Sequence, residues 1–131
     1  MKNKINLSIS NLRHTWFIDL DGTIFLHNKY KELKKDVLCN SNVVKFFEKI
    51  PDQDFIIFTT SRNKNFSKLC EESIKRMLCL KQEYKIIYDL PHGERLLIND
   101  KKPSGLNTAI AISTERDLFP PINIKIDESI L

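Results

Sequence analysis

The sequence predicts an α/β fold built around a mostly parallel sheet. Three observations indicate this class: short apolar runs alternate with segments of helical periodicity, the runs are apolar on both faces, and polar residues follow them. Strands that are apolar on both faces are typical of a buried parallel sheet, and regular alternation of strand and helix implies crossover connections. With 131 residues, the chain has the length of one domain, and we expect residues 1–131 to form it.

Four strands are predicted from apolar runs that end in polar or turn residues. They are 15–20, 54–59, 84–88 and 95–98. Two more candidates lie at 109–112 and 122–126, and the two prolines before the second of these favour a sheet edge. The first 14 residues fit two interpretations, because Ile5, Leu7 and Ile9 alternate as in a strand, whereas Ile5, Ile9 and Leu12 also share a helical face.

Two helices are predicted between these strands. Ser41 or Asn42 can cap a helix over 43–50, which Pro51 would end. The segment 65–80 carries an apolar stripe opposite lysines and glutamates, as in an amphipathic helix. The segment 24–36 has room only for a short flap.

Composition and charge exclude several classes of protein. Hydrophobic residues make up 41% and charged residues 29% of the chain, as in ordinary globular proteins. No apolar run reaches the roughly 20 residues that cross a bilayer, and the N-terminus lacks a secretory h-region. The three cysteines, Cys39, Cys70 and Cys79, form no CxxC pair, which disfavours disulfides and structural zinc. We therefore expect a cytoplasmic protein that does not bind membranes.

Polar residues follow three of the predicted strands, at the sheet edge where ligands bind in open α/β folds. They are Asp19 and Asp21, Thr59 and Thr60, and Asn99 and Asp100. Three carboxylates in one place would repel each other without a cation. Magnesium suits such a site because it takes a few carboxylate oxygens, keeps several waters and binds substrate phosphate. The pattern therefore predicts a Mg²⁺ site at this edge.

The segment 16–23, WFIDLDGT, resembles the first motif of the haloacid dehalogenase superfamily, an apolar strand followed by DxDGT. Later motifs are similar and in the same order: an apolar strand before Thr60-Ser61-Arg62, and another before Asp100. The resemblance covers residues 15–103. It implies a Rossmann-like three-layer α/β/α sandwich, and the short intervals between motifs leave no room for a cap domain.

The resemblance also implies a phosphatase that acts through an aspartyl-phosphate. Asp19 would be the nucleophile, and Asp21 would protonate the leaving oxygen and then activate water. Asp19, the backbone carbonyl of Asp21 and Asp100 would hold Mg²⁺. Thr60 would contact the phosphoryl oxygens, with Gly22 and Ser61 beside it, although Thr60 also fits the N-cap of the next helix.

A basic residue is expected before the last motif, to balance the charge of the phosphoryl group. The candidates are Lys85, Arg95, Lys101 and Lys102, of which Arg95 and Lys102 fit best. Gly93-Glu94-Arg95 departs from the Gly-Lys-Pro of many small relatives. Asn99 also departs, since many relatives carry an aspartate at that position.

The expected substrate is a phosphate monoester, such as a sugar phosphate or a polysaccharide precursor. Without a cap the site should be open, so it suits a bulky substrate or closure by a neighbouring subunit in a homo-oligomer. A phosphatase of nucleic-acid ends is an alternative, given the net charge of +4, although no aromatic and basic stripe for single strands is present. A binding or regulatory module with degraded activity is the non-enzymatic alternative.

Overall fold

The computed structural model describes residues 4–131, so Met1–Asn3 of the N-terminal segment lie outside the described residues. Five strands, three α-helices and one 3₁₀ turn occur in this range. In chain order they are β1 (Ile5–Ile9), β2 (Thr15–Asp19), α1 (Lys29–Glu32), α2 (Asn42–Lys49), β3 (Phe55–Thr59), the 3₁₀ turn (Lys64–Phe66), α3 (Ser67–Leu78), β4 (Glu83–Ile87) and β5 (Ile122–Ile126).

The strands form two separate parallel sheets. One has the order β2-β3-β4, and its register places Asp19 beside Thr59, so the carboxyl ends of β2 and β3 meet at one edge. The other pairs β1 with β5, also in parallel. The predicted parallel pairing is confirmed, and the ambiguous first segment is a strand. The predicted strand at 122–126 is confirmed as an edge strand, since it pairs with β1 alone in a two-stranded sheet.

The three-stranded sheet is covered on one face. Residues of α2 and α3 form a buried core with alternate residues of the sheet, among them Ile18, Ile56 and Phe58. The intervening positions point the other way, and two of them, Phe17 and Ile87, are 55% and 43% exposed. Among the described residues the two longer helices therefore pack on the same face, and a three-layer sandwich is not confirmed.

Two predicted strands, 95–98 and 109–112, do not form. The segment 93–114 contains no helix or strand and is largely exposed, with Leu96 and Ile98 at 88% and 97%. Its backbone bonds instead close a local turn, in which the amide of Lys102 donates to the carbonyl of Leu106. A strand requires a hydrogen-bonded neighbour. The free edge of β2 could accept one, but residues 95–98 do not pair with it, and β2 has a partner on one side only. Apolar content alone therefore predicted a pairing that is not made.

The predicted helices are confirmed, but their caps differ. Ser41 occupies the N-cap of α2 without a side-chain bond, and Asn40 Oδ1 accepts a hydrogen bond from the amide of Asn42 at 3.0 Å instead. Asn63 caps the 3₁₀ turn that leads into α3. Across residues 4–131, the helices are too short or too polar to span a membrane.

Candidate active site

The candidate site is the turn that follows β2. Asp19 is the last residue of β2, and Gly22 turns the chain with φ of 85°, a conformation that favours glycine. The turn is closed by hydrogen bonds from the amides of Gly22 to Phe25 O (2.7 Å) and of Ile24 to Leu20 O (3.0 Å). Asp19 and Asp21 are therefore fixed next to each other at the carboxyl edge of the sheet.

Asp19 lies in a partly buried position at this edge. Thr23 Oγ1 donates a hydrogen bond to its Oδ2 at 2.9 Å. Burial raises the pKa of Asp19 above its usual value and the charge of Asp21 adds to this, while the Thr23 bond and the charge of Arg95 act in the opposite direction. A carboxylate with a raised pKa at a strand end is a candidate for catalysis.

Asp21 is held by a bidentate ion pair. Arg62 donates from Nη2 to Asp21 Oδ1 and from Nε to Oδ2, both at 2.9 Å. On the other side of the guanidinium, Arg62 contacts Asp36, and Ser73 Oγ donates to Asp36 Oδ2 at 2.6 Å. Burial acts to lower the pKa of Arg62, but the bonds to Asp21 and Asp36 outweigh it and raise the pKa, so the guanidinium remains charged.

Thr60 belongs to the site, but its hydroxyl is engaged within the protein. Thr60 is buried, accepts a hydrogen bond from the amide of Arg62 at 3.0 Å, and lies 3.5 Å from Asp21 Oδ2. It is not a helix N-cap, because Asn63 caps the 3₁₀ turn and Phe66 occupies the N-cap position of α3. Ser61 Oγ lies 3.5 Å from the carbonyl of Pro91. Thr60 and Ser61 are thus adjacent to the site, with Thr60 turned towards Asp21.

The backbone amides of the turn are also engaged. Gly22, Thr23 and Ile24 donate their amides to backbone carbonyls of the same turn. The resemblance to the haloacid dehalogenase superfamily implies that Gly22 lies beside the phosphoryl oxygens. Gly22 therefore shapes the turn, and the amides of Gly22, Thr23 and Ile24 are already used within it.

Of the two basic candidates, Arg95 is the one whose charge acts on Asp19. The charge of Arg95 lowers the pKa of Asp19, and its Nη1 donates to the carbonyls of Pro91 at 2.7 Å and Gly93 at 3.0 Å. Lys102 lies in the exposed turn of the segment 93–114. Among the described residues neither Arg95 nor Lys102 forms an ion pair with Asp19 or Asp21.

Asp100 also lies in this exposed segment, where its carbonyl accepts a hydrogen bond from Thr108. Between residues 4 and 131, no three His, Cys, Asp or Glu side chains are grouped as metal ligands, so Asp19, Asp21 and Asp100 are not assembled as one set. Magnesium is commonly held by one or two carboxylates together with substrate phosphate and water. Asp19, partly buried beside a second carboxylate, fits that smaller donor set.

Two features of the site were not predicted from the sequence. Asp36 lies in a lysine-rich stretch that has the composition of a solvated surface, yet it is buried against Arg62. Arg116 packs on the turn, with its Cγ 3.4 Å from where a Cβ on Gly22 would lie. The Thr-Ser-Arg triplet was the one available signal for Arg62, and no local signal identified Asp36 or Arg116.

Comparison with known proteins adds no assignment to this geometry. No protein family, no curated protein and no solved structure matches the chain.

Proposed function

We propose that this protein is a Mg²⁺-dependent phosphohydrolase of the haloacid dehalogenase type that cleaves a phosphate monoester through an aspartyl-phosphate on Asp19. One observation carries the proposal: two carboxylates stand two residues apart at the carboxyl edge of a parallel sheet, in different surroundings. Asp19 has a pKa raised by burial, whereas Asp21 is held by the guanidinium of Arg62. The order of the two aspartates in DxDGT, which this chain shares with the haloacid dehalogenase superfamily, implies the nucleophile at Asp19 and the acid–base group at Asp21.

The proposed reaction has two steps. Asp21 enters the first step protonated, with its two oxygens still accepting hydrogen bonds from Arg62. A carboxylate oxygen of Asp19 attacks phosphorus, the bond from phosphorus to the ester oxygen breaks, and Asp21 gives its proton to the departing alcohol and becomes a carboxylate. Water then attacks the phosphoryl group as Asp21 takes a proton from it, which releases phosphate and restores Asp19. Arg95 is proposed to balance the negative charge of the phosphoryl group, because its charge already acts on Asp19.

Mg²⁺ is proposed to bind at Asp19 together with the substrate phosphate, where it would screen the charges of two anions that must meet. Asp100 remains a predicted ligand. To contribute, it requires a position of the segment 93–114 different from the exposed one described here. The metal requirement is therefore expected to be strongest in the presence of substrate.

The proposed substrate class is a sugar phosphate or polysaccharide precursor, in a cytoplasmic setting. The segment 24–36 is short, and the elements of residues 4–131 include no cap domain, which suits a bulky ester or closure by a second subunit. A second candidate, a phosphate-binding module without turnover, is favoured by one observation: Asp100 is not assembled with Asp19 and Asp21.

A screen of phosphorylated compounds tests the proposal. The wild-type protein and Asp19→Asn are incubated with sugar phosphates and with 5′- and 3′-phosphorylated oligonucleotides, with Mg²⁺ and then with EDTA. We expect wild-type phosphate release that EDTA stops and Mg²⁺ restores. Release from oligonucleotides alone would select the nucleic-acid alternative. No release from any ester, combined with calorimetric binding of a sugar phosphate, would select the binding module.

A further inference from the structure

We propose that Arg62 is a positioning residue, which holds the carboxylate of Asp21 in one orientation and is itself held from behind by Asp36 and Ser73. The inference rests on the proposed function, because it assigns a purpose to the fixed direction of Asp21. It adds a chain of buried contacts that joins the core helix α3 to the acid–base group.

At one end of this series of contacts, Arg62 forms a bidentate ion pair with Asp21. Two nitrogens of Arg62 donate to two oxygens of Asp21, each at 2.9 Å. A bidentate pair fixes the plane of the carboxylate as well as its distance. Thr60 Oγ1, 3.5 Å from Asp21 Oδ2, approaches the same oxygen. Asp21 therefore has little freedom to rotate away from the edge of the sheet.

At the other end of this series of contacts, Asp36 links Arg62 to helix α3. Arg62 bonds to Asp36 at 2.5 and 3.2 Å, and Asp36 accepts a hydrogen bond from Ser73 of α3 at 2.6 Å. Helix α3 is itself fixed by core residues such as Ile74. A movement of Arg62 would break several bonds at once, so its position is set by the core and not by solvent.

Aromatic rings hold the plane of the guanidinium. The Tyr30 ring centroid lies 4.0 Å from Arg62 Cζ, and the Phe25 centroid lies 5.6 Å away. A lysine at this position would lack both the planar group that stacks and the fork that bonds two oxygens. The geometry therefore depends on an arginine and not only on a positive charge.

Asp21, Arg62 and Asp36, which we call the Arg62 triad, differ in their exposure to solvent. The side chains of Arg62 and Asp36 are 0% exposed, whereas that of Asp21 is 16% exposed. A buried ion triad is a weak source of stability, because desolvation offsets much of the attraction. Asp21 is the one member of the Arg62 triad that is exposed. We therefore infer that the triad serves to direct the Asp21 carboxylate towards the site.

The test compares esters with good and poor leaving groups. An alkyl alcohol needs a proton as it leaves, whereas 4-nitrophenolate leaves readily without one. Wild type, Arg62→Lys and Asp36→Asn are assayed on 4-nitrophenyl phosphate and on an alkyl phosphate. The readout is kcat/KM, which covers the steps up to departure of the alcohol. Arg13→Lys is the matched control, because Arg13 forms an exposed pair with Glu83.

We expect Arg62→Lys to lower kcat/KM for the alkyl ester by about 100-fold and for the aryl ester by less than about 10-fold, the range set by loss of general acid catalysis. Asp36→Asn should show the same bias at smaller size, and Arg13→Lys should show none. Thermal melts check folding, and Ser73→Ala replaces any variant that does not fold. An equal loss on both esters in a folded variant overturns the inference while the phosphatase stands. An inactive wild type overturns the proposed function and the inference with it.

Discussion

The three-stranded sheet has a buried carboxylate cluster at each end, and the two clusters differ in one respect. At the amino end, Asp54 is fully buried and accepts hydrogen bonds from Trp16 Nε1 at 2.9 Å and the amide of His14 at 3.0 Å, with His14 Nδ1 also 2.9 Å from it. At the carboxyl end, the Arg62 triad is buried except at Asp21. In the first, which we call the closed cluster, the carboxylate is fully buried and the exposed member is His14, at 18%; this cluster ties strands together. In the second, the open cluster, the exposed member is a carboxylate, Asp21, at 16%.

The difference shows that burial of a charged group does not by itself indicate function. Both clusters pair a carboxylate with a nitrogen cation or imidazole, and both lie next to a strand of the same sheet. Only the cluster at the carboxyl edge has a partly exposed oxygen beside a second carboxylate, Asp19. Position in the sheet therefore separates a structural cluster from a candidate catalytic one.

The largest expected effect is on turnover. Asp19→Asn removes the proposed nucleophile, and phosphate release should fall by at least about 1,000-fold. Asp54→Asn makes the same chemical change in the closed cluster and should leave kcat within a few-fold of wild type. Initial rates on one ester, with melts to verify folding, check both. Activity in Asp19→Asn close to that of wild type would contradict its role.

The next effect is on stability. Asp36→Ala leaves Arg62 with one carboxylate in a buried place, and the free energy of unfolding should fall by about 3–5 kcal/mol. Asp54→Ala leaves the donors of His14 and Trp16 without an acceptor, and the loss should be about 2–3 kcal/mol. Urea unfolding of both variants measures the order. A larger loss in Asp54→Ala would mean that the closed cluster contributes more to the fold than the triad.

A smaller effect follows from the raised pKa of Asp19. A carboxyl whose folded pKa exceeds its unfolded value stabilises the fold at low pH, and that contribution is lost as pH rises through the folded pKa. Asp19→Asn should therefore have a higher Tm than wild type at pH 7, and the gap should close below about pH 4, where the wild-type carboxyl is protonated in both states. Melting curves across this range test the sign, and a gap that widens on acidification would contradict it.

The smallest effect is expected at the exposed pair beside the closed cluster. The side chains of Arg13 and Glu83 are 56% and 81% exposed. Glu83→Gln should change the free energy of unfolding by less than about 1 kcal/mol, because exposed ion pairs contribute little. Urea unfolding in low and high salt measures it. A loss as large as that of Asp54→Ala would remove the distinction between buried and exposed pairs at this end.

Much of the sheet could be predicted, because β2, β3 and β4 are short apolar runs followed by turn residues. The run at 95–98 has the same composition, yet it is exposed. Composition reports whether a segment suits a strand, but pairing depends on which edge is free when the chain packs. The local pattern carries no information about that edge.

The residues of the site also differ in whether the sequence could predict them. Asp19 and Asp21 lie on one turn after β2, and the charge of Arg95, one of the two basic candidates, acts on Asp19. The bond between Arg62 and Asp36 spans 26 positions. Nothing in the lysine-rich context of Asp36 distinguishes it from a solvated residue, so only the folded chain reveals the triad.

The pairing of β1 with β5 has a consequence for biosynthesis. Asn6 and Asn123 are joined by a hydrogen bond across 117 positions, so β1 leaves the ribosome long before its partner exists. Contacts between such distant residues form slowly, since the intervening loop must first be closed. We therefore expect β2, β3 and β4, which lie between residues 15 and 87, to pair earlier than β1, which must wait until β5 has been synthesised.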